Sequence, residues 1–304
     1  MGKGLLILIV GFAASFGILA QGKNRRYVES VDRMVDRFGG YTAKNASASG
    51  AYMALNQLYL NPNWRAGFTN LALGGNVFSV SVQDQNQDAG LGPYKLRILA
   101  NGGNADAANQ SDVTVFTRRF QEFAVWAKDS VRSVTSQDSN SVINSALTME
   151  KAPFMPKVDK TTLINVAESN GRKYTDPTFA PSDGFPNGNF YKSGTTPNVI
   201  YVTGNLKVAK DRTIYGIYVV EGNVLLKQNA KVNGILYLPN SSSSVLDFGV
   251  DDKGDSDLKG GIVTWGAVNG NSFQITVKHF PEYWRAFANN YAANNPPLRV
   301  LSWK

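Results

Sequence analysis

Few residues in this chain are equipped for chemistry. Its 304 residues hold no cysteine and one histidine, His279. Disulfides, zinc–thiolate centres, iron–sulfur clusters and thiol nucleophiles are therefore excluded. His279 stands three residues before Glu282 in HFPEYW, a spacing that suits proton exchange. No nucleophile or glycine-rich phosphate loop accompanies the pair, so the segment reads as an aromatic cap on the end of the repeats that precede it. Asp247, Asp251, Asp252, Asp255 and Asp257 crowd residues 239–260. Calcium takes about 6–8 oxygen ligands and would suit such a group. The spacing matches no calcium loop, however, and Lys253 and Lys259 offset the charge, so a solvated acidic loop is the stronger reading. Asp211 and Glu221 are the carboxylates that a carbohydrate-active site on the repeats would use. Asn45, Asn109 and Asn240 head sequons in form, the last two on expected loops. No catalytic residue, metal or cofactor is assigned.

Composition points the same way. An apolar fraction of 43%, 29 glycines and only 18% charged residues suggest turn-rich β structure. The net charge of +8 is spread along the chain without a basic run interleaved with aromatics, so nucleic acid is not an expected partner.

The elements that would position any site begin with an unusual N-terminus. Leu5 to Ala20 (LLILIVGFAASFGILA) is uncharged and nearly all apolar. At 1.5 Å per residue it spans about 24 Å as a helix, short of the ~20 residues of a lone membrane span. Three readings compete: a cleaved secretory signal, a permanent anchor, and a helix held first in a bilayer and later in a filament core. The helical pattern continues past Ala20, which favours the third. Val28, Val31, Val35 and Phe38 line one face, and Arg25, Glu29 and Arg33 alternate in charge along another. Gly39-Gly40 is expected to interrupt or kink this helix. Small residues then dominate from Ala43 to Ala51, where strands are expected to pack, and Asn61-Pro62 ends the helix.

Strands are predicted at Asn76–Val82, Tyr94–Leu99 and Val113–Arg119, joined by loops at 83–92 and 100–111. Residues 127–197 read as an irregular connection around a helix at 161–169 with Thr161 as its N-cap. Further on, Tyr201 to Leu206 realigns with Val219 to Val224 at an offset of 18, and Ile214 to Val219 realigns with Val232 to Tyr237 at the same offset. This period suggests a β-solenoid with Gly and Asn at corners; a β-sandwich with coincidental spacing is the alternative. Later strands are expected at 261–268, at 273–277, and at Leu298–Trp303, returning to a sheet.

The helix AKNASASGAYMALNQL (43–58), then Asn61-Pro62-Asn63-Trp64-Arg65 and the hairpin strand Leu73-Gly74-Gly75-Asn76-Val77-Phe78, resembles the type IV pilin-like class, in particular its larger pilus-assembly members. Pilins of the usual kind carry glutamate at the fifth mature position. Cleavage after Gly4 would put Ile9 there, and a start at Met1 would put Leu5 there. The resemblance implies an α+β protein with a long N-terminal helix and an antiparallel β-meander pilin-like head, and the 18-residue period adds a C-terminal β-solenoid-like (or β-sandwich) domain. Divisions are expected at 1–60, 61–126, 127–197 and 198–304. The implied function is a structural subunit of an extracellular pilus-like filament at the cell surface. Its partners would be copies of itself and, while it sits in the cytoplasmic membrane before polymerisation, a membrane-embedded assembly machinery. The filament-core helix would use Leu5, Leu6, Ile7, Leu8, Ile9, Val10, Phe12, Phe16, Ile18, Leu19, Val28, Val31, Val35 and Phe38. Two alternatives remain: a minor tip subunit holding surface glycans, and a secreted β-solenoid carbohydrate-active enzyme.

Overall fold

A computed structural model describes residues 2–247, 255–270, 274–292 and 295–304, with side chains from Ile9 onward and not for Asp247. The fold mixes helix with antiparallel and parallel sheet. It divides into two compact units, Met1–Thr117 with Pro297–Lys304, and Arg118–Pro296. These limits differ from the expected divisions after 60, 126 and 197.

The first unit starts with α1, Gly2–Leu60. It runs unbroken through Gly39-Gly40, against expectation. Glycine weakens a helix by about 1 kcal/mol but removes no backbone hydrogen bond, so the pair destabilises without kinking. The helix stops where Pro62 withdraws an N–H. Four strands follow: β1 (Phe68–Leu73), β2 (Asn76–Gln83), β3 (Lys95–Gly103) and β4 (Ala108–Phe116). Together with the C-terminal strand Arg299–Trp303 they form an antiparallel sheet in chain order, the last strand pairing with β4. β3 runs on past Leu99 and β4 starts before Val113, because Asn101, Gly102 and Gly103 pair with Gln110, Asn109 and Ala108 instead of forming a loop, and β4 ends at Phe116, short of Arg119. Tyr94 lies just outside β3 at φ 61°.

β2 alternates buried and exposed residues, as its sequence pattern predicts. Phe78, Val80, Leu96, Ile98, Ala100, Val113 and Val115 form the buried face, and Ala51, Ala54 and Leu58 of α1 cover it. The small residues permit a close approach. A Cβ on Gly102 would lie 2.3 Å from the Ser47 backbone nitrogen, so helix and sheet touch backbone to backbone there. Ser47, fully buried, donates to the Lys44 carbonyl (2.9 Å) or to Asn109 Oδ1 (3.0 Å). Overpacking a rigid contact costs about 1–3 kcal/mol. Gly102→Ala is therefore expected to lower the melting temperature of this unit by at least about 5 °C, measured by differential scanning calorimetry.

The second unit is built on parallel pairing. Strands Val199–Val202, Thr213–Val220, Lys231–Leu238, Ser256–Thr264 and Ile275–His279 lie side by side in one sheet. Asn205–Val208, Val224–Leu226, Val245–Asp247 and Val268–Asn269 alternate with them in sequence and form a second sheet. Tyr201 pairs with Val219 and Ile214 with Val232, so the 18-residue matches found in the sequence are register partners. Inward-facing residues stack in ladders, Ile200–Tyr218–Leu236–Ile262 in one sheet and Leu206–Val224–Val245–Val268 in the other. Both ladders belong to one buried core. Asparagine at the turns ties one repeat to the next: Asn223 N donates to Asn205 Oδ1 at 2.8 Å, and Ser244 N donates to Asn223 Oδ1 at 2.9 Å.

Residues 127–197 are more ordered than expected. Val131–Arg132 and Val134–Gln137 extend the two sheets at one end, and Lys173–Tyr174 and Thr178–Phe179 extend them at the other. Val125–Ala127 joins the larger sheet beside Ile262–Thr264. These pairings draw residues from 118 onward into the second unit. The outer face of the larger sheet carries two helices, α2 (Lys160–Ser169) and α3 (Pro281–Tyr291). The N-cap of α2 is Asp159, whose carboxylate accepts from Thr162 N at 3.0 Å, not Thr161. α3 covers a sheet face instead of capping an end. A Cβ on Gly261 would fall 2.1 Å from the Trp284 ring, so glycine makes the seat for that indole. Phe120 stacks edge-on against the same ring at 5.6 Å. The later strand begins at Ile275, and Phe273 lies outside the described residues.

Candidate functional site: the free half of the N-terminal helix

The groups with catalytic potential are committed elsewhere. His279 Nε2 contacts the Gln121 carbonyl at 2.9 Å, and burial lowers its pKa. Glu282 instead accepts from the Tyr191 hydroxyl at 3.0 Å, so no His–Glu pair forms. Glu221 is held by Lys160 Nζ at 2.6 Å, Asn240 Nδ2 at 2.8 Å and the Tyr201 hydroxyl at 3.2 Å. Asp211 accepts from Asn229 at 2.9 Å on a turn. A carboxylate so enclosed by donors is a pin between repeats, not a free base. Asp251 and Asp252, with the side chain of Asp247, lie outside the described residues; among the described residues no group of acidic, His or Cys side chains could hold a metal. Asn109 sits in β4, not in a loop, and takes its bond from Ser47.

Among the described residues, the largest run of exposed apolar side chains lies on α1 between Ile9 and Tyr41. Ile9, Val10, Phe12, Phe16, Ile18, Leu19, Val28, Val31, Val35 and Phe38 are all between 57% and 71% exposed. Tyr27, Met34 and Tyr41 are equally open. The side chains of Leu5, Leu6, Ile7 and Leu8 lie outside the described residues. At about 100° per residue, Tyr27, Val28, Val31, Met34, Val35, Phe38 and Tyr41 share an arc of about 140°. Arg25, Glu29, Asp32, Arg33 and Asp36 occupy the opposite side, and Lys23 stands at the edge of the apolar arc. Arg25 and Glu29 pair at 3.3 Å, both in solvent. Sequence reasoning picked four members of this stripe and missed Tyr27, Met34 and Tyr41. The missed signal is a seven-residue repeat: 27, 34, 41; 28, 35; 31, 38.

Magnitudes make this surface costly for a monomer. The exposed apolar area between Ile9 and Tyr41 is on the order of 1,000 Å², against the ~300–600 Å² of a typical monomer's largest patch. The helix also lacks intrinsic strength. A Cβ on Gly11, Gly17, Gly22 or Gly40 would meet nothing within 4 Å, so these positions bring flexibility with no packing inside the chain. An isolated helix of this composition is marginal in water. Among the described residues no helix is long and apolar enough to cross a membrane.

Comparison with known proteins gives no further guide: no family model, no curated protein and no solved structure matches this chain.

Proposed function

We propose that this protein is a structural subunit of an extracellular, pilus-like filament, which polymerises by bundling the free half of α1 with the same segment of neighbouring copies. One observation carries the reading: a stripe of apolar side chains, all more than half exposed, on a helix whose other end is anchored in a folded unit. Full burial of that stripe at about 25 cal/mol per Å² is worth on the order of 25 kcal/mol before association costs. A noncovalent polymer needs no more, and the chain has no cysteine with which to build a covalent one. In this reading the first unit is the pilin-like head, with α1 laid on an antiparallel meander. The second is a β-solenoid-like domain displayed on the filament surface, supported by in-register parallel pairing at 18-residue steps. Leu5–Ala20 is short for the ~30 Å hydrocarbon core of a bilayer. Membrane residence before assembly is then a staging state, and the bundle of neighbouring helices is the more stable one.

Truncation tests the proposal. Removing residues 1–41 takes away the whole apolar stripe and leaves the helix face that packs on the sheet, Ala43 to Leu58, untouched. The truncated protein is expected to sediment as a monomer under conditions where the full chain forms filaments visible by electron microscopy. Filaments of ordinary length from the truncated protein would sink the proposal.

A further inference from the structure

The second unit holds a cleft unconnected with the helix stripe. It lies between α3 and a short hairpin made of Tyr191–Ser193 and Thr196–Pro197, and encloses about 490 Å³. That volume falls in the ~300–1,000 Å³ range of small-molecule sites. We propose that this cleft binds a neutral saccharide.

The chemistry of the walls supports this choice. Glu282, Arg285 and Asn289 recur at i, i+3 and i+7 on α3 and so project from one side of it into the cleft. The Tyr191 hydroxyl fixes one oxygen of Glu282 at 3.0 Å and leaves the other free to accept. Burial and the Glu282 carboxylate push the Tyr191 phenol up to about 12, so it stays a donor at any working pH. Arg285, Asn289 and the Thr196 hydroxyl line the same space. Carboxylate, guanidinium, amide and hydroxyl together offer both acceptors and donors at short range, which matches adjacent sugar hydroxyls that donate and accept in turn. Glu282 and Arg285 put one charge of each sign on the wall, so the cleft carries no net charge that would favour an anion or a cation over a neutral polyol. Pro197 and Tyr291, both buried, also line the cleft and add apolar surface to its walls.

Calorimetric titration of the full chain in detergent with maltotriose, cellotriose, mannotriose and triacetylchitotriose tests the site. Saturable binding of at least one trisaccharide is expected. Arg285→Ala and Asn289→Ala should each weaken it by about tenfold or more, the usual effect of losing a hydrogen bond to a charged or amide group. Both positions are exposed, and unchanged circular dichroism will show that the variants fold. No saturable binding to any of the four, or binding that both variants leave intact, overturns the proposal. So does saturable binding confined to inorganic phosphate or to an acidic peptide. None of these outcomes bears on filament formation, which the α1 stripe decides.

Discussion

Replacing Val31 and Phe38 together by glutamate is expected to abolish filament formation while leaving both folded units intact. The two side chains are 57% and 71% exposed and contribute nothing to either core, so the monomer loses no packing. Assembly loses twice over. Each substitution removes about 1.5–3 kcal/mol of apolar burial. Each also carries a carboxylate into a seam that offers it no partner, at a cost of several kcal/mol. The sum exceeds about 5 kcal/mol per contact, which raises the critical concentration by roughly ten-thousand-fold. Arg33→Glu, on the opposite arc, reverses two units of charge yet should shift that concentration by less than about tenfold, since exposed ion pairs are worth about 0–1 kcal/mol. Sedimentation of matched samples separates the variants. Polymer from the double variant at the parent's concentration would show that the stripe is not the assembly surface.

The sequence was informative where a physical constraint repeats. The 18-residue matches were visible because stacking places the same residue type at the same register position in successive strands, as Ile214 over Val232. The apolar stripe was visible for the same reason, through the helical period of Val28 to Phe38. Elements without periodicity escaped. β1 is exposed along most of its length, so Phe68–Leu73 shows no buried–exposed alternation and drew no strand prediction. The strands between 131 and 179 are two to four residues long, below the length at which a pattern can be seen, and only pairing to the repeats defines them. Chemistry was the hardest to place. Glu282 stands near His279 in sequence but serves Tyr191, which is 91 residues away. Only the fold brings such partners together, so the cleft beside α3 had no signature in the chain.

Gly234→Ala is the substitution expected to damage the folded protein most. Gly216, Gly234 and Gly260 are register partners on three adjacent parallel strands. A Cβ on Gly234 would lie 1.8 Å from the Gly216 carbonyl oxygen, and one on Gly260 would lie 1.9 Å from that of Gly234. What the methyl group meets is backbone, not a flexible side chain, so no rotamer change relieves it. The strands would have to part beyond their ~4.8 Å spacing and break ladder hydrogen bonds on that side. Gly234 itself is not held at a positive φ, so the expected loss comes from space and not from backbone strain. Ordinary overpacking costs about 1–3 kcal/mol; with backbone as the obstacle, about 3–5 kcal/mol is expected here. For a unit of this size the melting temperature should fall by about 10 °C or more. Gly40→Ala provides the contrast. Its Cβ meets nothing within 4 Å, and it should strengthen α1 by up to about 1 kcal/mol. Since the ladder belongs to the second unit alone, Gly234→Ala should shift that unit's calorimetric transition and spare the other. A variant melting within about 2 °C of the parent would mean that the three glycines do not hold these strands at closest approach.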